Sequence, residues 1–124
     1  MRILDPGHRY ELDILDKTYD LIAVLQFVKR EGEEYPGNIG HYPGTTTQEV
    51  LRALIDRTKY VDQQQHWSAN DFVIDYLRRA LYELELRAAY AAGKGLNIFH
   101  VDMIETLPTC STCGHIWCDG SRHE

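Results

Sequence analysis

No apolar run in this chain approaches the roughly 20 residues that span a bilayer, so no helical membrane anchor is predicted. Cysteine is scarce and unevenly placed: the three residues Cys110, Cys113 and Cys118 fall within nine positions near the end. An odd number cannot pair fully within the chain, which argues against a secreted disulfide framework. Positive charge is in deficit, with 13 Lys and Arg against 19 Asp and Glu and a net charge of -6. A general DNA- or RNA-coating role would need an unusually local basic patch, whereas a small anionic ligand in a pocket stays open. No Walker A loop, Rossmann glycine pattern, nucleophile elbow or HExxH pair occurs, so neither an enzyme nor a catalytic cofactor is expected. Repeats and low-complexity tracts are also missing. Met1-Arg2-Ile3-Leu4-Asp5-Pro6 meets a turn before a signal-peptide core can form, which predicts a cytosolic protein.

What is present suits an ordinary folded chain: 44% hydrophobic and 26% charged residues, with eight tyrosines. After the Asp5-Pro6-Gly7 turn signal, His8, Tyr10, Leu12 and Ile14 alternate with Arg9, Glu11 and Asp13, the pattern of a half-buried strand. Tyr10, Leu12 and Ile14 are predicted on its inner face. The run from Leu21 to Val28 reads as a second strand able to pair with the first, with a short helix as the rival reading. Residues 32–44 carry four glycines and two prolines and form a turn-rich loop. Its tyrosines either cover the sheet or touch a ligand. Leu96 to Val101 offers a further strand.

Thr46 followed by Glu49 fits a capping box, opening a helix that runs to about Gln64. Val50, Leu51, Leu54, Ile55, Thr58 and Val61 form its apolar face, with Arg52, Asp56, Lys59 and Asp62 outward. A polar break at Gln65 to Ala69 leads to a second helix over about 69–92, capped by Ser68 or by Asn70. Its main stripe is Val73, Leu77, Ala80, Leu81, Leu84, Ala88 and Ala91. Phe72, Tyr76, Leu86, Ala89 and Tyr90 widen the apolar arc beyond what one partner helix covers. A two-helix hairpin has no inside of its own, so a neighbouring domain or a second copy must cover it. Gly93 and Gly95 are placed to end the helix. Asp75 with Arg79 and Glu83 with Arg87 stand at i,i+4 and read as solvated helix pairs.

The tail carries C-x2-C-x4-C-x4-H in Cys110, Cys113, Cys118 and His123. Three thiolates and an imidazole would close a structural Zn2+ site, and His115 competes with His123 for the fourth position. The spacing resembles a zinc knuckle, although knuckles place His third and Cys fourth. A flexible tail with free thiols is the alternative. Trp117 and Ile116 beside these ligands suggest a second function class, a zinc-containing adaptor binding nucleic acid or another protein.

Tyr60 and Asn70 both stand near the hairpin turn. Tyr stacks on purines and Asn reads their edges, while a rim aromatic and a helix cap are the plainer roles. Arg87 lies seventeen residues beyond Asn70, about 25 Å along a helix, and belongs to another site or another subunit.

Leu4-Asp5-Pro6-Gly7-His8-Arg9-Tyr10-Glu11-Leu12-Asp13, Phe27-Val28-Lys29-Arg30-Glu31-Gly32, Tyr35-Pro36-Gly37-Asn38, the stretch from Pro43 through Glu49 to Arg57, and Glu85-Leu86-Arg87-Ala88-Ala89 together resemble phage Thoeris anti-defence proteins of the first type. The likeness covers about Ile3 to Ala92. It implies an α+β fold: a small N-terminal antiparallel sheet, then a long antiparallel two-helix hairpin, assembled as a homo-dimer or hexamer. It also implies a sponge that holds cyclic ADP-ribose isomers made by bacterial TIR-domain enzymes, without cleaving them, in the cytoplasm of the infected bacterial host. Cyclic di- or trinucleotides are implied at a second site. By this likeness Tyr60 and Asn70 contact the signal and Arg87 serves the second site. A further arginine expected one turn after Arg87 is replaced by Ala91.

The expected organisation is therefore a sheet-plus-hairpin domain over 1–95 and a short Cys-rich extension over 96–124. Tyr42 of the loop would join Tyr60 and Asn70 around the ligand. Arg52, Arg57 and Lys59 are candidate donors to its pyrophosphate.

Overall fold

The computed structural model describes residues 1–16, 21–30, 40–91, 105, 109 and 116. It has the predicted α+β organisation, a small antiparallel sheet followed by two helices. The chain divides into two compact units, Met1–Thr46 and Thr47–Glu124.

In the first unit, β1 (Arg2–Asp5), β2 (Arg9–Leu12) and β3 (Ala23–Gln26) form a sheet in the order β1-β2-β3. The Asp5-Pro6-Gly7-His8 turn joins β1 to β2, closed by the His8 N–H donating to the Asp5 carbonyl at 2.9 Å. Pro6 followed by Gly7 at φ 79° is the type II signature, because the third turn position needs a left-handed backbone that glycine adopts without strain. β1 is the strand that periodicity misses, four residues with no alternation. Strand β2 stops at Leu12, two residues short of Ile14, and Leu12 is exposed at its end. Tyr10 does turn inward, edge-on to Phe27 at 6.2 Å between ring centres.

The second apolar run settles as strand β3, paired antiparallel with β2 from Arg9↔Gln26 to Leu12↔Ala23. Beyond it the chain continues extended, and the end of the turn-rich loop lies against it. The Val28 N–H donates to the Thr45 carbonyl at 2.9 Å, and Lys29 and Tyr42 exchange two backbone bonds. Gly44 permits this approach, since a Cβ there would stand 2.6 Å from the Gln26 carbonyl oxygen. Residues 31–39 and the candidate strand at 96–101 lie outside the described residues.

In the second unit, α1 (Thr47–Gln64) begins immediately after the predicted cap Thr46. α2 (Ala69–Ala91) begins after Ser68, which leaves Asn70 inside the helix and not at its cap. Gly93 and Gly95, expected to terminate it, are not among the described residues.

The buried faces differ from the predicted stripes. The core is Ile55, Leu81, Ala88 and Ala89, lined by Leu51, Ile74, Leu77, Tyr82 and Ile116. Leu54 and Val61 on α1, and Val73 and Ala80 on α2, are exposed. Each helix is turned by roughly a quarter of its circumference from the purely apolar orientation. Three residues predicted to point outward explain the rotation. Arg52 faces α2 and donates from Nη2 to Glu85 Oε1 at 2.9 Å, its side chain 11% exposed and that of Glu85 fully buried. Asp62 accepts from Asn70 of α2, and Lys59 pairs with Glu105. Charges that find partners across the seam turn inward, and the apolar residues they displace face out.

Candidate functional site

The hairpin junction is organised by one carboxylate. Asp62 Oδ1 accepts the Trp67 backbone N–H at 3.0 Å and Asn70 Nδ2 at 3.0 Å, and Asp62 Oδ2 lies 3.1 Å from His66 Nδ1. The Asn70 bond first, then the Trp67 N–H and His66, hold the Asp62 carboxyl down at about 2, since each partner favours the charged form. The same bond to Asp62 raises His66 above the usual imidazole value. Asn70 is thus a strut between the helices. Its amide oxygen and the second hydrogen on Nδ2 are the groups left to read a ligand.

Tyr60 sits two residues before Asp62, about 200° around the helix, so within one chain its ring faces away from the side that meets Asn70. It is 58% exposed. Arg57 is exposed one turn earlier on the same outer surface, and neither it nor Tyr60 makes an ion pair or hydrogen bond among the described residues. Of the three candidate pyrophosphate donors, Arg57 alone is exposed and makes no ion pair among the described residues. Arg52 is engaged by Glu85 and Glu49, and Lys59 by Glu105.

Tyr42 belongs to the first unit. Its hydroxyl donates to Asp5 Oδ2 at 2.5 Å, and Lys29 Nζ donates to the same oxygen at 2.8 Å. Lys29 and then Tyr42 lower the Asp5 carboxyl below its ordinary range against the opposing effect of burial. The Arg9 guanidinium stacks over the Tyr42 ring at 4.8 Å. Tyr42 thereby ties the end of the loop to the sheet.

Arg87 is exposed on the outer face of α2, which also carries Phe72, Tyr76 and Tyr90, 64%, 65% and 72% exposed. Glu85, two positions away, points into the seam, and this sets Arg87 outward. Asp75 and Arg79 form the predicted surface pair at 2.8 Å, while no ion pair joins Glu83 to Arg87 among the described residues. Cys110, Cys113, Cys118, His123 and the alternative ligand His115 lie outside the described residues.

Two groups had no signal in local periodicity. Asp62 as a junction hub and Glu105 as a bridge between helices both depend on partners brought together by the fold. An acidic residue just before a polar break, four positions ahead of His66, was the one cue to Asp62. Comparison of the chain with protein-family models, curated proteins and solved structures returns no match.

Proposed function

We propose that this protein is a phage anti-defence sponge that binds cyclic ADP-ribose-type immune signals stoichiometrically and blocks Thoeris immunity without cleaving them. The observation that supports it most is the placement of Arg57 and Tyr60 one turn apart on the exposed side of α1, with no ion pair or hydrogen bond to either side chain among the described residues. A guanidinium fork suits a pyrophosphate and a phenol ring suits a purine face. The sheet and hairpin architecture agrees with the resemblance from which the ligand class comes.

In this reading Tyr60 and Arg57 of one copy meet Asn70 of another, because one chain turns them apart. The pocket then exists only in a homo-dimer or hexamer, in the cytoplasm of the infected bacterial host. Arg87, among the aromatics of α2, is the anchor for a cyclic di- or trinucleotide at a second site. Zn2+ in the tail is structural, and no step of turnover is assigned to any residue.

Incubation with the cyclic ADP-ribose signal followed by heat release tests the proposal. Depletion of free signal with recovery of intact molecule is expected. Degraded product identifies an enzyme, and failure to deplete the signal rejects both in favour of the zinc-containing adaptor. Arg57→Ala should weaken capture by on the order of tenfold to a hundredfold, the size of a lost charge-assisted hydrogen bond.

A further inference from the structure

Two ion pairs fix how α2 is turned. Glu85 meets Arg52 across the seam, and Arg78 donates to Glu105, whose other carboxylate oxygen accepts from Lys59 of α1. Leu81 is fully buried on this same side, which leaves the opposite side of α2 bare. At about 100° per residue that side carries Phe72, Tyr76, Arg79, Glu83, Leu86 and Tyr90. Their spacings are four, three, four, three and four residues, the alternation of a coiled-coil seam. Phe72, Tyr76 and Tyr90 are exposed, as are Arg79 and Glu83, and Leu86 is half-buried. Arg79 donates to Asp75 from Nε, so its other donors can serve a second carboxylate. Glu83 makes no ion pair or hydrogen bond among the described residues. From either end the stripe runs aromatic ring, large side chain, charge, and the two central charges are of opposite sign.

We propose that this stripe is a homodimer interface on which a second copy lies antiparallel. Phe72 of one copy then meets Tyr90 of the other, Tyr76 meets Leu86, and Arg79 meets Glu83. The two-fold axis repeats every contact, so two Arg79–Glu83 pairs form at the centre and the rings at both ends leave water. Charge selects this arrangement. A parallel alignment sets Arg79 against Arg79 and Glu83 against Glu83, which repel. Sliding one copy by a heptad sets both charges against aromatic or leucine side chains and leaves them unpaired. The inference names the partner that the sponge reading calls for and rests on that reading in this respect alone, since signal capture enters none of the contacts.

Sedimentation velocity of the full chain, without signal, from about 1 µM to about 200 µM tests it. The parent should pass from monomer to a dimer or a multiple of dimers over this range. Arg79→Glu and Glu83→Arg should each weaken association by about tenfold or more, because each sets like charges opposite one another. An equimolar mixture of the two variants should form a heterodimer, and the double variant Arg79→Glu with Glu83→Arg should associate like the parent. Phe72→Ser with Tyr76→Ser should stay monomeric, and helical circular dichroism of each dilute variant distinguishes lost pairing from lost fold. A parent that is monomeric throughout, single variants that associate as the parent does, or a mixture that fails to pair would each overturn the proposal. Signal depletion is read in the separate capture assay, so failure of the sponge reading leaves these outcomes unchanged.

Discussion

The two sides of the helical hairpin invert the usual arrangement. Its inner seam holds a buried Arg52–Glu85 pair, the Asp62–Asn70 bond and the Glu105 bridge, whereas its outer side shows Leu54, Tyr60, Val61, Phe72, Tyr76 and Tyr90 to solvent. An amphipathic helix normally hides its most apolar stripe. Here specific polar partners outweigh that preference, at the seam and for these residues. Partnered charges set the rotation of each helix, and the exposed ring-bearing surface is a result of that rotation.

Breaking the seam should have the largest effect. Glu85→Ala leaves Arg52 without its buried partner and should cost about 3–5 kcal/mol in urea unfolding. Replacing both, as Arg52→Met with Glu85→Leu, should recover most of that loss. If the double variant is as unstable as the single, the pair is not what orients the helices. Leu81→Ala, in the apolar part of the same seam, should cost about 2–5 kcal/mol by opening a cavity.

A smaller effect is expected at the junction, and it depends on pH. Asp62 has its folded value lowered from 3.8 to about 2, so its contribution is present above 3.8 and is lost as pH falls toward 2. His66 has its folded value raised above 6.5, so its contribution is complete below 6.5 and disappears as pH rises through that folded value. Melting temperature measured from pH 2 to 8 should show both slopes, and Asp62→Asn should flatten both. The smallest change belongs to the outer side. Phe72→Ser and Tyr76→Ser should alter the stability of the dilute chain by no more than about 0.5 kcal/mol, in contrast to Leu81→Ala on the same helix. A larger loss would mean that this surface is covered.

Helix boundaries were legible because their causes are local. Thr46 with Glu49, the break after Gln64 and Ser68 before Ala69 lie within a few residues of the ends they mark. The orientation of the helices was not legible. Periodicity weighs each side chain alone and places Arg52 outside, while its partner Glu85 is 33 residues away. The same holds at the candidate site. Tyr60 and Asn70 look adjacent in a linear reading of the hairpin, yet the rotation that directs Asp62 to Asn70 turns Tyr60 aside. Tyr42 was recognisable as a loop tyrosine, but its commitment to Asp5 depended on β1, the strand no alternation announced.

The bond from Tyr42 to Asp5 also sets an order of events during synthesis. It closes a span of 37 residues, and Lys29, the other donor to that carboxylate, lies inside the span. Every partner in this cluster has therefore been polymerised before the first residue of α1 is added. None of these bonds draws on a residue of the hairpin. The hairpin must wait until Glu85 is available for Arg52 and Glu105 for Lys59, so its seam closes only after more of the chain has been made.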